Sequence, residues 1–285
     1  MEAETPAPVL KAPLLDGTCG FSAHLNFYSP GARQDTHAHA LPSLSLVLSG
    51  EVLEEVGGRD VQILGGSLCT KPEGLRHGNA YGRHGAVILS MSIKDADLWA
   101  AAGPAQGWSS RALAPLRLGQ LLRLLRNATE GGDHAQALLE VIAAAAPQKG
   151  VRGLPPRWLR VARERLDDEG AGLGELARQA GVHPVYFSRA FARWYGISPS
   201  VYRLRRRSSE AIARALRRRG RGPAIAHDAG FADQSHMCRA IRQSTGYSLS
   251  ELRALHATAL ERTAEQAPEI SYVDIPRVAC DGPGA

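Results

Sequence analysis

Three histidines lie in two short segments of the N-terminal half of the chain. His37 and His39 are separated by one residue, and His77 follows later in the chain. Neutral imidazoles are common ligands of transition metals, and they also form hydrogen bonds with polar molecules. The pattern therefore predicts one of two sites, either a centre for a divalent transition metal or a pocket for an organic ligand.

Short apolar runs separated by glycines surround these histidines, which indicates that strands position them. The runs lie at 44–48, 51–56, 61–64, 67–70 and 86–93. Glycines at 50, 57–58 and 65–66 are turn signals between them. Many short strands at this spacing favour a sandwich or a small barrel. Because side chains alternate along a strand, we expect His37 and His39 to share the face that points into the barrel.

The spacing of glycines and histidines resembles the two sequence motifs of the cupin family. The first segment contains Gly31, His37-x-His39, Ser43 and Gly50, and the second contains Gly66, Pro72-x-Gly74 and His77. In metal-binding cupins this pattern supplies three histidines and a glutamate, and Ser43 occupies the glutamate position here. Because Ser43 cannot replace the charge of a carboxylate, we expect an effector pocket formed by His37, His39, Ser43 and His77, with no cofactor. A divalent transition metal held by the three histidines is the alternative.

The stretch from 173 to 247 contains one pattern twice. Ala177 and Gly181 recur 49 residues later as Ala226 and Gly230, and Phe187 and Arg189 recur after 50 residues as Met237 and Arg239. A repeat at this period indicates a duplicated supersecondary unit.

Each copy has the layout of a helix-turn-helix. Gly181 suits the end of a first helix, and Pro184 suits the first turn of a second. Asp233 is a favourable N-cap for the corresponding helix of the second copy. Phe187 and Phe191, or Met237 and Ile241, then face inward at helical spacing, which leaves arginine, glutamine and small residues outside. Such a face can enter a DNA major groove, whereas a solvated helix face is the alternative for one helix alone.

The distribution of charge also separates the two halves of the 285-residue chain. Residues 1–150 contain 12 Lys and Arg against 14 Asp and Glu, a net charge of −2. Residues 151–285 contain 22 against 14, a net charge of +8, and every basic residue there is arginine. A basic half beside a nearly neutral half predicts a polyanion-binding module joined to a different domain.

The C-terminal repeat resembles the DNA-binding domain of AraC/XylS-type transcriptional regulators. The resemblance rests on 177–181, 187–191, 196–199 and on the segment from Ile225 to His236. Met237 and Ile241 stand where that family has aromatics, and the closing segment 247–249 lacks its usual proline. The resemblance implies that DNA is contacted by Val185, Ser188, Arg189 and Arg193 in the first copy, and by Gln234, Ser235, Cys238, Arg239 and Arg242 in the second.

Helical patterns link and follow these regions. Two leucine- and alanine-rich segments within 113–146 either form a dimer seam or cover the sheet, and leucine spacing does not separate these alternatives. A helix is expected over 156–168, and another over 199–216 that joins the two repeats. We expect phosphate contacts from some of the arginines in the runs 205–207 and 217–219.

The sequence thus predicts two domains, an N-terminal all-β cupin-like barrel with a helical appendage and a C-terminal all-α domain with two helix-turn-helix units. The expected division is a flexible segment at 1–20, the barrel at 21–100, a helical dimerisation or linker region at 101–149, the DNA-binding domain at 150–262 and a flexible tail at 263–285.

The expected function is a sequence-specific transcription regulator, an activator and not an enzyme. Its expected partners are double-stranded DNA, a small-molecule effector, RNA polymerase and a second copy of the chain. No signal peptide, membrane span or paired-cysteine motif is evident, so we expect a cytoplasmic protein. Two alternatives are a three-histidine metal-dependent cupin enzyme fused to a DNA-binding module, and a sensor domain that has become purely structural.

Overall fold

The computed structural model describes residues 10–16, 20–101, 107–129, 140–141, 155–167, 172–217 and 220–265. Its N-terminal part is an eight-stranded antiparallel sheet. The strands are β1 (Leu10–Asp16), β2 (Phe21–Tyr28), β3 (Arg33–His37), β4 (Ser43–Val56), β5 (Arg59–Leu64), β6 (Ser67–Lys71), β7 (His77–Ile93) and β8 (Ser109–Ala112). Their order is β1-β2-β7-β4-β6-β8, with β3 paired to β7 and β5 paired to β4.

One short helix lies between β7 and β8, and the other described helices follow the strands. In chain order the helices are α1 (Ala96–Ala101), α2 (Pro115–Thr129), α3 (Arg157–Asp167), α4 (Leu173–Gln179), α5 (Pro184–Tyr195), α6 (Pro199–Arg217), α7 (Gly222–Asp228), α8 (Gln234–Thr245) and α9 (Leu249–Glu265). The predicted fold class, a β-rich N-terminal region followed by a helical region with two helix-turn-helix units, is confirmed. None of the described helices is both long enough and apolar enough to cross a membrane.

The long strands β4 and β7 bend, and this bend lets the sheet curl around a cavity. Gly50 and Gly85 lie at the bend, with φ of +89° and +66°. A Cβ atom on Gly50 would lie 1.9 Å from the carbonyl oxygen of Gly85, so only glycine allows this approach. The β4–β7 register shifts on both sides of Gly50, between Val47 and Ser49 and between Gly50 and Val52. Residues of seven strands line this cavity.

The two faces of the sheet have opposite chemistry. The concave face carries polar side chains, such as Ser43 and Ser45 of β4, into the cavity. The convex face carries Leu44, Leu46 and Leu48 of the same strand, each buried in the main apolar core. Since side chains alternate along a strand, a single run of residues builds both the polar cavity and the apolar face that the helices cover.

Helices from the C-terminal part cover this convex face. The main core combines sheet residues with buried side chains of α2, α6, α8 and α9, including Leu121, Ile212, Ile241 and Leu252. Helix α9 also packs on β1, and the ring of His256 lies 5.1 Å from that of Phe27. The described β and α regions are therefore docked through a shared apolar core.

Some element bounds differ from the sequence expectations. Residues 10–16, expected within a flexible segment, form β1 because they pair with β2 along its length. Strand β8 lies within the region expected to be wholly helical and pairs with β6. Helix α9 continues to Glu265, past the expected start of the tail at 263. Of the second predicted helix near 134–146, only residues 140–141 are described, and they are helical. The segment 150–156, whose glycines and prolines are typical of a hinge between domains, lies mostly outside the described residues.

Candidate functional sites

The three histidines predicted from the sequence come together at one end of the cavity. Their ring centroids are 4.4 to 5.1 Å apart, and the nearest nitrogen atoms all lie within 4.8 Å of one another. His37 and His77 are direct partners in the β3–β7 ladder, which explains why they meet. His39 lies beyond the end of β3, so a loop brings it to the cluster rather than strand alternation. The Gly74 backbone N–H holds that loop by donating to the His39 carbonyl at 2.9 Å.

Backbone carbonyls orient two of the rings. The Nδ1 atom of His37 lies 2.8 Å from the Asp35 carbonyl oxygen, and the Nδ1 atom of His77 lies 3.1 Å from that of Leu75. A neutral imidazole that donates from Nδ1 leaves its Nε2 atom as an acceptor or a ligand. The buried Nε2 atom of His77 has no hydrogen-bond partner among the described residues. Burial, followed by the charge of Lys71, lowers the pKa of His77 to about 4, so its ring is neutral at pH 7.

A buried ion pair in the cavity was missed by the sequence analysis. Glu54 is 1% exposed, and its Oε1 atom lies 2.9 Å from Lys71 Nζ and 4.0 Å from His77 Nε2. Ser43, which stands at the glutamate position of metal-binding cupins, is buried and lines the same cavity. The carboxylate in this cavity comes instead from Glu54, near the C-terminal end of β4. The alternating apolar pattern of β4 could have revealed Glu54 only if the register shifts near Gly50 had been known.

The remaining cavity lining is mostly polar. The cavity has a volume of about 240 Å³. Asn26 and Asn79 each donate from Nδ2, to Ser90 and Gln34, but their Oδ1 atoms are buried without a partner among the described residues. Cys69 also lines the cavity, and burial raises the pKa of its thiol to about 11. The thiol is therefore protonated at pH 7 and a poor nucleophile.

The two helix-turn-helix units share their capping chemistry. Gly181 and Gly230, which end the first helix of each unit, have φ of +67° and +74°. His183 is the N-cap of α5, and its Nδ1 atom accepts a hydrogen bond from the Val185 backbone N–H at 3.3 Å. Asp233 is the N-cap of α8, and its Oδ1 atom accepts a hydrogen bond from the His236 backbone N–H at 2.7 Å. Pro184 lies in the first turn of α5, so the predicted signals Pro184 and Asp233 lie at the starts of the two helices.

Most of the residues predicted to contact DNA lie on the outer faces of α5 and α8. Phe187 and Phe191 of α5, and Met237 and Ile241 of α8, are buried as predicted. The exposed predicted residues are Val185, Arg189 and Arg193 on α5, and Gln234, Ser235, Arg239 and Arg242 on α8. Ser188 is half-buried on α5.

Two side chains modify the predicted outer faces. Cys238 is half-buried and packs against the main core, so it offers less surface than its neighbours on α8. Tyr186, which the sequence analysis did not select, is 59% exposed beside Val185 on α5. The sequence contained a signal for Tyr186, because it directly follows Val185, which was predicted to contact DNA.

Comparison with known proteins identifies the helical region. Residues 159–255 match the family described as "Helix-turn-helix domain". They form a helix-turn-helix domain of the AraC type. Such a domain is the DNA-binding part of a transcription regulator. No curated protein matches the chain.

Several solved structures are similar to parts of the chain. The C-terminal domain of AraT, a response regulator from Geobacillus stearothermophilus, is 24% identical over 36% of this chain and 88% of its own, with a TM-score of 0.34. ToxT from Vibrio cholerae O395 is 10% identical over 83% of this chain and 98% of its own, with a TM-score of 0.36. Oxalate decarboxylase from Bacillus subtilis is 20% identical over 28% of this chain and 22% of its own, with a TM-score of 0.25.

Helix α6 joins the two units of the AraC-type domain and also contacts the sheet. The buried Arg205 guanidinium donates to the carbonyl oxygens of Gly65 at 3.1 Å and Leu113 at 2.7 Å. The Gly50 backbone N–H donates to Ser209 Oγ at 2.8 Å. We call these three hydrogen bonds the α6–sheet contact. Gly66 leaves the space that the guanidinium occupies, since a Cβ atom there would lie 2.2 Å from Arg205 Cζ.

The α6–sheet contact corrects one sequence expectation. In this arrangement Arg205 cannot reach a phosphate, because its donors are used inside the protein. Arg206 lies 3.5 Å from the Glu51 carboxylate of β4, and Arg217 is exposed. Arg218 and Arg219 lie outside the described residues.

Proposed function

We propose that this chain is a sequence-specific transcription regulator that reads DNA through α5 and α8 and responds to a small molecule in the cavity of the sheet. The observation that carries the proposal is the pair of exposed polar helix faces in an AraC-type domain. Each face presents an arginine, Arg189 or Arg239, at equivalent positions of the repeat. Arginine can make a bidentate contact with guanine in the major groove.

The spacing of the two helices also supports this proposal. Helix α6 has 19 residues and is therefore about 28 Å long. Two recognition helices that occupy successive major grooves on one face of DNA must be about 34 Å apart. A connecting helix of this length supports simultaneous reading of two parts of one asymmetric site.

Specificity measurements test the reading role. Arg189→Ala and Arg239→Ala should each reduce discrimination at different positions of one site, by about 1–3 kcal/mol per lost bidentate contact. Footprinting on single-base variants of a site selected by the wild-type chain would measure this. Arg178→Ala is the control, because Arg178 pairs with Glu175 on the exposed surface of α4. Equal weakening on every sequence would identify the two arginines as phosphate contacts and contradict the proposal.

For the cavity, we propose a small hydroxylated effector that carries a negative charge. His77 Nε2 and the Oδ1 atoms of Asn26 and Asn79 are buried acceptors without a partner, so a ligand with hydroxyl groups could satisfy them. The Lys71 ammonium, at 12% side-chain exposure, supplies a cation that a carboxylate could contact. The neutral ring of His77 adds no positive charge of its own, so a ligand carboxylate would share the Lys71 ammonium with Glu54, whose Oε1 atom lies 2.9 Å from it.

A matched ligand pair tests this chemistry. Threonate should raise the Tm of the full chain more than threitol, which has the same carbon count but no carboxylate. Lys71→Met should remove the difference between the two ligands. His77→Ala should abolish the transcriptional response to any effector found in this way while DNA binding remains. No Tm shift with either probe would argue against a hydroxylated effector of this size.

A divalent metal is the second candidate, because the histidine geometry also fits one. His37 and His77 donate from Nδ1 to backbone carbonyls, the arrangement that orients metal-bound imidazoles through their Nε2 atoms. The His77 Nε2 and Glu54 Oε1 atoms are 4.0 Å apart, whereas two tetrahedral ligands at about 2.1 Å from one ion are separated by about 3.4 Å. These side chains would therefore have to move closer together to share an ion. A bound metal would polarise a ligand or water there, and Glu54 would first have to leave Lys71.

Elemental analysis separates the two candidates. The effector proposal predicts less than stoichiometric zinc, iron or nickel in the purified full chain. One tightly held metal per chain, lost in His77→Ala but retained in His84→Ala, would establish the metal site instead. His84 lies on the same strand but outside the cavity, so it controls for loss of a histidine.

We further propose, on the family resemblance, that the regulator activates transcription through RNA polymerase and acts as a homodimer. The expected result is an effector-dependent rise in transcript from a template that carries the selected site. Sedimentation of the chain would show the dimer. A fall in transcript, or a monomer at all concentrations, would contradict the respective part of this proposal.

A further inference from the structure

A groove rich in arginine runs between α2 and α8. Helix α2 precedes the AraC-type domain in the chain, whereas α8 is its second candidate recognition helix. Arg123 and Arg126 of α2 and Arg239 and Arg242 of α8 line the groove, which has a volume of about 740 Å³. The two helices are in direct contact, and Arg126 donates to the Gly246 carbonyl at 3.3 Å, just past the end of α8.

The positive charge of the groove is only partly neutralised. Glu251 lies 2.6 Å from Arg126 and 3.9 Å from Arg242, and the hydrogen bond from Arg126 lowers its pKa to about 2. Arg123 and Arg239 are exposed, and neither forms an ion pair with a carboxylate among the described residues. Four guanidinium groups around one described carboxylate indicate a surface that suits a polyanion.

The position of the groove identifies which polyanion it suits. A helix with its side chains is about 10–12 Å wide, so it fills a major groove about 12 Å wide. A second helix packed beside it, with axes about 8–10 Å apart, then lies over the phosphate strand that borders the groove. Helix α2 packs directly on α8, and Arg123 is its exposed arginine on the shared groove.

We infer that Arg123 of α2 contacts the DNA phosphodiester backbone beside the major groove that α8 occupies. The DNA interface then extends beyond the AraC-type domain onto a helix of the preceding region. This inference rests on the proposed reading role of α8. Because phosphate contacts carry no base information, Arg123 adds affinity and orientation without changing the sequence preference.

The salt dependence of DNA binding tests the inference. The full chain would be titrated by fluorescence anisotropy, at several KCl concentrations, against a duplex that the wild-type chain selects from a random-sequence pool. Each neutralised phosphate contributes about 0.9 to the slope of log K against log salt. Arg123→Gln should reduce the slope by about that amount and weaken binding equally on single-base variants of the site. Arg123→Lys should restore the slope.

Arg117→Gln is the matched control. Arg117 lies on the same helix, but it pairs with Glu140 at 3.3 Å and does not line the groove. Its loss should leave the slope unchanged, although the net charge changes equally. An unchanged slope in Arg123→Gln, or equal changes in both variants, would overturn the inference.

Two further outcomes are distinguishable. If the wild-type chain selects no sequence and binds duplexes without salt dependence, the proposed function itself fails. If Arg123→Gln leaves the DNA slope intact but abolishes binding of poly-glutamate, the groove belongs to an acidic protein partner and the inference about DNA is wrong.

Discussion

The two helix-turn-helix units have the same chain layout but different cores. In the first unit, Phe187 and Phe191 pack with residues of α3, α4 and α6 and form a core distinct from the main apolar core, with Leu64 and Ala112 of the sheet packed at its edge. In the second, Met237 and Ile241 belong to the core that covers the convex face of the sheet. One sequence pattern has therefore produced one unit with its own core and one unit that shares its core with the sheet.

The side chains explain this difference. In the first unit, aromatic rings fill the core. The ring centroid of Phe191 lies 4.5 Å from that of Tyr195 and 5.5 Å from that of Tyr202. Where the family has aromatics, the second unit has smaller aliphatic side chains. They pack in a core completed by leucines of α2 and β4. The departures from the family pattern thus coincide with the place where the second unit docks on the rest of the chain.

Truncating one core residue in each unit tests the comparison most strongly. Phe191→Ala should cost about 3–5 kcal/mol of unfolding free energy and Ile241→Ala about 2–5 kcal/mol. Hydrogen exchange should rise in α3 to α5 for the first variant. For the second it should rise in α7 to α9 and also in α2 and β4. Similar exchange maps for both variants would show that the two cores are not separate.

Glycine substitutions sharpen the comparison at the α6–sheet contact. Gly66→Ala and Gly74→Ala both place a side chain at positive φ, +83° and +71°, but only the first displaces Arg205. Gly66→Ala should therefore cost about 2–4 kcal/mol more, because hydrogen bonds from the charged guanidinium are lost. Chemical unfolding measures the difference. In an Arg205→Met background the two glycine variants should become equal, and a persistent difference would exclude Arg205 as its cause.

Acidification should lower the free energy of unfolding of the chain, by less than the core and glycine substitutions do. Burial, and then the charge of Arg206, lowers the pKa of His84 to about 4, below the ordinary value of 6.5. The unfolded chain binds this proton first, so stability is complete above pH 6.5 and falls as the pH drops toward 4. His84→Gln should reduce the loss of stability between pH 7 and pH 5, measured by urea unfolding. An identical pH profile in the variant would exclude this contribution.

Much of the architecture could be predicted because its signals are local. The repeat, the cap residues at Gly181 and Asp233, and the inward positions of Phe187 and Ile241 each depend on a few neighbouring residues. The spacing of His37 and His77 likewise predicted a common site. Their direct pairing in the β3–β7 ladder confirms that they meet.

Other features depend on contacts between residues far apart in the chain, and only the tertiary structure decided them. The shifts near Gly50 change which residues of β4 face the cavity, from Ser43 and Ser45 to Val52 and Glu54, because one extra residue reverses the alternation of a strand. In the sequence Arg205 is one of three consecutive arginines, but in the structure its guanidinium donates to the carbonyl oxygens of Gly65 and Leu113. The amino-acid sequence alone determined most of the helices, the central strands and the Asp233 cap, since these follow from local propensity and periodicity, whereas β1 and β8 depend on pairing with β2 and β6. Which polar groups became buried partners depended on how the sheet bends and where α6 docks.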